Sequence, residues 1–287
     1  MRHLKIFIDL TRLNKPIGFM LLFWPCAFGL AYANYYIQNT ELLIYFMILF
    51  FLGSVLMRSA GCIVNDIIDK DFDKKVKRTK KRPIASGEIS ITHSLMYVFL
   101  LCLAALLILL KFNLMTIFLG MGSMVLAFSY PFMKRITYWP QLFLGITFNW
   151  GIIMAWTSMN NDISFEIIIL YVAAIFWTLG YDTIYGAQDI SDDEIIGLKS
   201  TSIKFKKNIN LFVGIMYFIS TVLIFYLFRE FIGLNYFTLF LILFVTSLSF
   251  QIISFNKNKE ESCLRMFKTN NLSGLMLFIG ILMLSYQ

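Results

Sequence analysis

The chain has few charged residues and very little histidine or cysteine for its length. Charged residues make up 15% of its 287 residues, whereas they make up about a quarter of a soluble domain. The two histidines, His3 and His93, are far apart in the sequence, so neither a histidine-based metal site nor a Ser–His–Asp triad is expected. The 4 cysteines have no CxxC spacing, which indicates buried thiols.

Apolar residues take the place of the missing charge. Hydrophobic residues make up 59% of the chain, with 30 Phe and 14 Tyr, and the mean hydropathy is +0.72. Because about 20 apolar residues are needed to cross a bilayer as a helix, we predict an all-α polytopic membrane protein, a bundle of nine transmembrane helices around a central cavity. The expected spans are 16–36, 42–65, 91–110, 113–133, 141–159, 164–187, 209–228, 233–254 and 270–286.

The distribution of positive charge predicts how the spans are oriented. The N-terminal segment and every second loop after it contain all 25 lysines and arginines except Arg58, Lys111 and Arg229. Since cytoplasmic loops are enriched in Lys and Arg, we expect a cytoplasmic N-terminus and an outside C-terminus. The net charge of +8 is then explained by topology and a phosphate site, and no nucleic-acid partner is expected.

The sequence shows no linker rich in proline, glycine or serine and no extramembrane domain. The longest polar stretches are about 68–90 and 189–208, both on the expected cytoplasmic side. We therefore expect one membrane domain over residues 1–287.

A first acidic cluster, NDIIDKDFD, follows the second apolar run. If the helix continues through it at about 100° per residue, most of its polar side chains share one face with an intramembrane arginine, and Asp71 lies opposite. The residues on that face are Arg58, Asn65, Asp66, Asp69 and Asp73. Stacked carboxylates repel one another unless a cation joins them, and oxygen-only ligands favour Mg²⁺, so Asn65, Asp66, Asp69 and Asp73 are candidate metal ligands. Asn65 is also a candidate, with Arg58, for contact with an aromatic substrate.

The cluster has two alternative interpretations besides a magnesium site. One is a solvated helix end with excess charge. The other is a calcium loop, suggested by alternating aspartates, but Lys74 and Lys80 stand where such a loop needs glycine and glutamate.

A second acidic cluster, YDTIYGAQDISDD, ends another apolar run. On a continuous helix Asp182, Asp189 and Asp193 lie on one face, with Tyr185 and Asp192 on the same side. A lone intramembrane carboxylate such as Asp182 is a functional candidate, the alternative being a hydrogen bond to a neighbouring helix. Two such clusters could bring two Mg²⁺ ions to one diphosphate.

Basic residues near both clusters could neutralise a diphosphate. Lys77 and Arg78 are assigned to diphosphate contact. The other basic residues available to a leaving diphosphate are Lys134, Arg135 and Lys199. Lys80, Lys81 and Arg82, which follow Lys77 and Arg78 in the same loop, are expected mainly at the membrane surface. For Arg58 two interpretations stay open: an ion pair with an aspartate, or a bidentate grip on a substrate carboxylate.

Four segments together resemble the UbiA superfamily of intramembrane prenyltransferases, and within it the hydroxybenzoate branch. They are NDIIDKDFD, VKRTKKRPIASGEIS, YPFMKRITYWPQLFLG and YDTIYGAQDISDDEIIGLKST. The likeness runs from TRLNKPIG to about residue 205, and the last three spans match only in being apolar. Gly186 and Gln188 in YGAQD depart from the more usual family pattern, with little expected effect on function.

The resemblance implies Mg²⁺-dependent transfer of a polyprenyl group from polyprenyl diphosphate to 4-hydroxybenzoate in ubiquinone biosynthesis, in a bacterial inner membrane. It implies a cavity open to the cytoplasm and laterally to lipid, Arg58 near the aromatic acid, and Tyr130 and Lys134 near the diphosphate. The magnesium ligands it implies are Asn65, Asp69, Asp73, Asp182, Asp189 and Asp193. Transfer to naphthoate, homogentisate or haem is the alternative within the superfamily, and a transporter is the alternative outside it.

Overall fold

The fold is all-helical over the residues described by the computed structural model, 2–76 and 79–286. Nine helices in these ranges are long and apolar enough to cross a membrane, which confirms the predicted number of spans. The spans are α2 (Ile17–Ile37), α3 (Thr40–Ile68), α6 (Ile91–Leu109), α7 (Leu114–Ile136), α8 (Pro140–Asn160), α9 (Phe165–Gly186), α12 (Ile209–Leu227), α13 (Tyr236–Ser254) and α14 (Glu260–Met283). The short helices are α1 (Arg2–Thr11), α4 (Lys70–Asp73), α5 (Pro83–Ser86), α10 (Ile190–Ile195) and α11 (Thr201–Lys204).

Polar residues in the loops define where many of the spans begin. A side-chain oxygen at the N-cap accepts a hydrogen bond from a backbone N–H of the first turn, which satisfies a donor that has no partner within the helix. The N-cap residues that bond in this way are Asn39, Ser90, Asn113, Ser164 and Asn235.

The last span begins ten residues before its predicted start. The first two turns of α14 carry Glu260, Glu261 and Arg265, which lower the local hydropathy, yet Cys263 and Met266 on the same turns are buried. One buried face is enough for packing to continue the helix through a charged sequence.

The core of the bundle is built around α2, which packs against α3, α8 and α14. In turn α8 packs against α9, and α9 against α12. Trp24, Phe28 and Trp177 fill the centre of this core. By contrast α6 and α7 leave most of their apolar side chains at least partly exposed, as lipid-facing helices do.

Both acidic clusters lie where a span breaks into shorter turns. α3 ends at Ile68, Asp69 caps it, and α4 follows; α9 ends at Gly186 and is followed by a 3₁₀ turn, Ala187–Asp189, and by α10. The expectation of continuous helices through the clusters was therefore wrong. The breaks let the chain turn while the carboxylates stay at the end of the bundle.

Candidate functional site

The carboxylates of the first cluster are withdrawn from solvent. Asp66, Asp69 and Asp73 are 1%, 5% and 6% exposed, and Asn65 is half-buried. The side chain of Asp71 is 87% exposed. The division between an inward set and an outward Asp71 follows the helical spacing, although the helix itself is interrupted. Burying three carboxylates so close together requires cations beside them.

Two arginines provide part of that charge. Arg12 Nη2 lies 2.5 Å and Arg82 Nη1 lies 3.0 Å from the same oxygen, Asp66 Oδ1. Arg82 Nη1 also lies 2.8 Å from Asp73 Oδ2. Burial raises the pKa of Asp73 above its usual range, and the positive charge of Arg82 opposes that rise.

The expected membrane-surface position of Arg82 was therefore wrong. Lys80 and Lys81 are exposed, as expected, but Arg82 turns inward to the buried carboxylates. Lys77 and Arg78, which were assigned to diphosphate contact, lie outside the described residues.

The end of α7 brings further positive charge to Asp69. Lys134 Nζ contacts Asp69 Oδ2, and Arg135 Nη2 donates to the carbonyl oxygen of Ile68 at 2.9 Å while lying 3.4 Å from Asp69 Oδ1. The backbone N–H of Lys199 donates to the carbonyl of Lys134 at 2.8 Å. Lys134 and Arg135, which are 65 and 66 positions from Asp69, thus lie beside this carboxylate, whereas Lys199 Nζ donates to the carbonyl oxygen of Ile136 at 3.2 Å.

The second cluster is held by a buried hydrogen-bond network beneath it. The backbone N–H of Thr201 donates to Gln141 Oε1 at 3.0 Å, Ser202 Oγ donates to the carbonyl of Thr183 at 2.8 Å, and the Thr183 and Thr201 hydroxyls are 2.7 Å apart. This network ties α11 and α8 to the turn of α9 that follows Asp182. Beyond that turn, Asp189 and Asp193 lie on the 3₁₀ turn and on α10.

Two side chains connect the clusters in space. Tyr130, on α7, interacts electrostatically with Asp182 on α9 and with Arg58 and Asp69 at α3. Arg12 interacts in the same way with Tyr185 of α9 as well as with Asp66. Both acidic clusters therefore lie at the same end of the bundle.

Arg58 lies deeper in the bundle than the first cluster, and the described residues form no ion pair with it. Its guanidinium carbon lies 5.6 Å from the centre of the Phe148 ring, and its Nε is buried without a hydrogen-bond partner. Of the two interpretations left open by the sequence, direct pairing with an aspartate is not observed. A buried guanidinium nitrogen without a partner is suited to an anionic ligand.

The oxygen donors at this end of α3 fit a hard divalent cation. No three His, Cys, Asp or Glu side chains in the described ranges are grouped to hold a metal by themselves. Mg²⁺, however, commonly takes only one or two carboxylates and completes its coordination with water and substrate phosphates. Asn65, Asp69 and Asp73 offer that chemistry, and Asp66 already has two arginines on one oxygen.

Sequence reasoning overlooked the roles of Arg12 and Arg82. The signal available in the sequence was that buried carboxylates need cationic partners. It could not identify these two, because the N-terminal segment and the loop after the second span contain many other basic residues.

A sequence model described as the UbiA prenyltransferase family matches residues 22–278. The chain belongs to the UbiA prenyltransferase family. This chain is 40% identical to the mitochondrial 4-hydroxybenzoate polyprenyltransferase of Bos taurus, over 98% of this chain and 76% of that one. It is 37% identical to the 4-hydroxybenzoate octaprenyltransferase of Vibrio parahaemolyticus, over 97% and 96%.

Solved structures of UbiA homologues share the fold. A homologue from Aeropyrum pernix has a TM-score of 0.76 at 23% identity, over 91% of this chain and 96% of that one. A homologue from Archaeoglobus fulgidus, bound to GPP and Mg²⁺, has a TM-score of 0.70 at 14% identity, over 98% and 100%. The nine membrane-length helices and the family together make this an integral membrane protein.

Proposed function

We propose that this protein transfers a polyprenyl group from polyprenyl diphosphate to 4-hydroxybenzoate, at the ring carbon ortho to the hydroxyl, in ubiquinone biosynthesis. The observation that carries the proposal is the meeting of two acidic clusters, with basic side chains, at one end of a bundle of membrane spans. The names of the relatives from Bos taurus and Vibrio parahaemolyticus support this choice of acceptor.

Divalent metal would be held at both clusters. Asn65, Asp69 and Asp73 would bind Mg²⁺ at the end of α3, and the second set of ligands is Asp182, Asp189 and Asp193. The Mg²⁺ bound by the Archaeoglobus homologue supports this assignment. Bound Mg²⁺ supplies positive charge that stabilises a departing diphosphate.

The chain's own cations contribute to the same step. Lys134 and Arg135 lie beside Asp69, and the backbone of Lys199 is bonded to that of Lys134. These three residues would contact the diphosphate together with Tyr130, Lys77 and Arg78. As the allylic C–O bond breaks, the electron pair leaves with the diphosphate, and these fixed positive charges stabilise it. The substrate fragment left behind is an allylic cation.

The aromatic ring then forms the new bond. The ring carbon ortho to the phenol attacks the allylic cation, and loss of the ring proton to Asp182 or to diphosphate restores the aromatic ring. Arg58 would bind the substrate carboxylate through its unpaired nitrogen, so that the correct carbon faces the cation.

The setting of this reaction is a single membrane domain over residues 1–287 in a bacterial inner membrane. Its N-terminus is cytoplasmic and its C-terminus is outside, following the distribution of lysine and arginine. The active end of the bundle then faces the cytoplasm, where a water-soluble aromatic acid is available, and the polyprenyl tail remains in lipid.

An acceptor assay in lipid nanodiscs tests the proposed function. The purified protein is incubated with polyprenyl diphosphate, Mg²⁺ and one of four acceptors: 4-hydroxybenzoate, dihydroxynaphthoate, homogentisate or haem. We expect a prenylated product from 4-hydroxybenzoate by mass spectrometry, and none after chelation of divalent metal. Transfer to dihydroxynaphthoate, homogentisate or haem with none to 4-hydroxybenzoate would overturn the choice of acceptor.

A further inference from the structure

Asp66 is bound differently from the other carboxylates of the first cluster. Its Oδ1 accepts hydrogen bonds from two guanidinium groups, at 2.5 Å from Arg12 and 3.0 Å from Arg82, and the residue is 1% exposed. Asp69 also contacts two cations, Lys134 and Arg135, but on separate oxygens, so within this cluster Asp66 is the carboxylate that has two guanidinium groups on one oxygen. A divalent cation approaching that oxygen would meet the repulsion of both guanidinium groups.

Arg82, the second of these arginines, also binds Asp73. Arg82 Nη1 donates to Asp73 Oδ2 at 2.8 Å as well as to Asp66. Two further bonds hold Arg82 near Asp73, from the Arg82 backbone N–H to the carbonyl of Thr79 at 2.9 Å and from Thr79 Oγ1 to the carbonyl of Asp73 at 3.1 Å. Asp66 therefore fixes Arg82, and Arg82 fixes one oxygen of Asp73.

The first arginine is held in place by the docking of α1. Ile6 and Leu10 of α1 are buried against a cluster that includes Ile63 of α3 and Ile84 of α5. Arg12 follows α1 directly, with a φ of 56°, the left-handed conformation in which helices commonly end. The packing of α1 therefore fixes where the Arg12 side chain starts.

Arg12 also lies between the two acidic helices. Besides Asp66, its guanidinium lies near the thiol of Cys62, one turn earlier on α3, and near the phenol of Tyr185 on α9. Its guanidinium is thus in a position to set the spacing between the end of α3, where Asp73 follows, and the turn of α9 that carries Asp182.

We propose that Asp66 is not a metal ligand, and that Arg12, Asp66 and Arg82 form a chain of positioning residues for Asp73. We name these three residues the arginine–aspartate chain. The proposal rests on the proposed prenyl transfer for its catalytic consequence, because Asp73 is one of the groups assigned to metal in that reaction. It also makes α1, which lies outside the spans, part of the support of the active site.

Metal binding measured without turnover distinguishes a positioning role from ligation. The probe is Mn²⁺ with inorganic diphosphate, followed by electron paramagnetic resonance on protein in nanodiscs. Asp69→Asn, which removes a ligand, should weaken Mn²⁺ binding about 100-fold or more, whereas Asp66→Asn, which acts only through Arg82 and Asp73, should weaken it about tenfold. Asp71→Asn is the matched control, since it removes an exposed carboxylate of the same segment.

Steady-state kinetics supply the second readout. Arg12→Gln should lower kcat for prenyl transfer about tenfold with little change in the KM of either substrate, because a displaced carboxylate affects the reacting geometry more than ground-state binding. Arg12→Lys should recover part of that loss, since it retains one charge. Lys74→Gln, which breaks the exposed pair between Lys74 and Asp71, should leave kcat unchanged.

Thermal unfolding of the double variant tests whether Arg12 and Asp66 act as a pair. It also detects a variant that folds poorly. If Arg12 and Asp66 act together, Arg12→Gln combined with Asp66→Asn should lower the melting temperature by clearly less than the sum of the single losses. Arg12→Gln leaves the Asp66–Arg82 pair in place, so it remains usable should Asp66→Asn fail to fold.

Different results overturn the two proposals. The arginine–aspartate chain is rejected if Asp66→Asn weakens Mn²⁺ binding as much as Asp69→Asn, if Arg12→Gln retains wild-type kcat, or if the melting-temperature losses simply add. Wild-type protein that prenylates none of the acceptors rejects the proposed function instead. In that case the Mn²⁺ and melting measurements still decide whether Asp66 is a ligand.

Discussion

Lys134 contacts Asp69, and this pair joins the end of α7 to the end of α3. The two residues are 65 positions apart in the chain. Lys134 also anchors the loop that carries Lys199, through its backbone carbonyl. A carboxylate assigned to metal and the cations assigned to diphosphate are therefore neighbours, as a site that separates diphosphate from an allylic carbon requires.

Asp69→Asn should lower the rate of prenyl transfer by about 100-fold or more. The amide retains the size of the side chain but loses the negative charge that binds metal, and groups that stabilise a developing charge typically contribute that much. The measurement is radiolabelled product formed by purified protein in nanodiscs at saturating Mg²⁺.

The control for this variant is Asp71→Asn, which lies two residues further along the chain and is exposed to solvent. Asp71 has a side chain that is 87% exposed, so its loss should leave the rate within about twofold, as is usual for surface substitutions. Near-normal turnover by Asp69→Asn would contradict the metal assignment.

Arg58→Ala should weaken binding of the aromatic acid more than binding of the prenyl donor. A hydrogen bond to a charged group contributes about 1.5–3 kcal/mol, which corresponds to a rise of about 10- to 100-fold in the KM for 4-hydroxybenzoate. The KM for polyprenyl diphosphate should change little. Separate titrations of the two substrates check this, and equal losses for both would remove the role assigned to Arg58.

The sequence predicted the membrane architecture well because bilayer thickness directly sets the length of an apolar run. The nine spans follow from that rule, and one boundary, the start of α14, lies more than three residues from its predicted position, because Glu260, Glu261 and Arg265 lower the local hydropathy. The carboxylates that turn inward, Asp66 and Asp69 among them, also followed from helical spacing.

The partners of those carboxylates could not be predicted in the same way. Arg82 is one of many basic residues in its loop, and Arg12 is separated from Asp66 by 54 positions. The folded chain is therefore needed to show which cations pair with the buried carboxylates. The breaks after Ile68 and Gly186 were missed as well. Neither acidic sequence contains a proline to mark a helix end, and tertiary contacts decide where each helix stops.

Gln251→Leu should lower the melting temperature of the protein. Gln251 Oε1 accepts hydrogen bonds from the Tyr217 hydroxyl at 2.7 Å and from Asn270 Nδ2 at 2.8 Å, and Asn270 in turn accepts one from Trp177. Removing this fully buried acceptor leaves donors without partners, at a cost of about 1–3 kcal/mol. Ser249→Ala is the control on the exposed face of α13, and equal melting temperatures for the two variants would contradict the prediction.

Gly29→Ala should destabilise the bundle, because α2 and α8 approach each other closely at this residue. A Cβ at Gly29 would collide with the backbone carbonyl of Ile152 and would lie 3.0 Å from Cβ of Ala155. Small residues permit such close helix packing in membranes, and overpacking a tight contact costs about 1–3 kcal/mol. The measurement is thermal unfolding in detergent.

Gly53→Ala is the matched control, since nothing lies within 4 Å of a Cβ at Gly53. It should leave the melting temperature unchanged or raise it, because alanine favours a helix more than glycine does. A melting temperature for Gly29→Ala equal to that of Gly53→Ala would show that the interface between α2 and α8 tolerates the added methyl group.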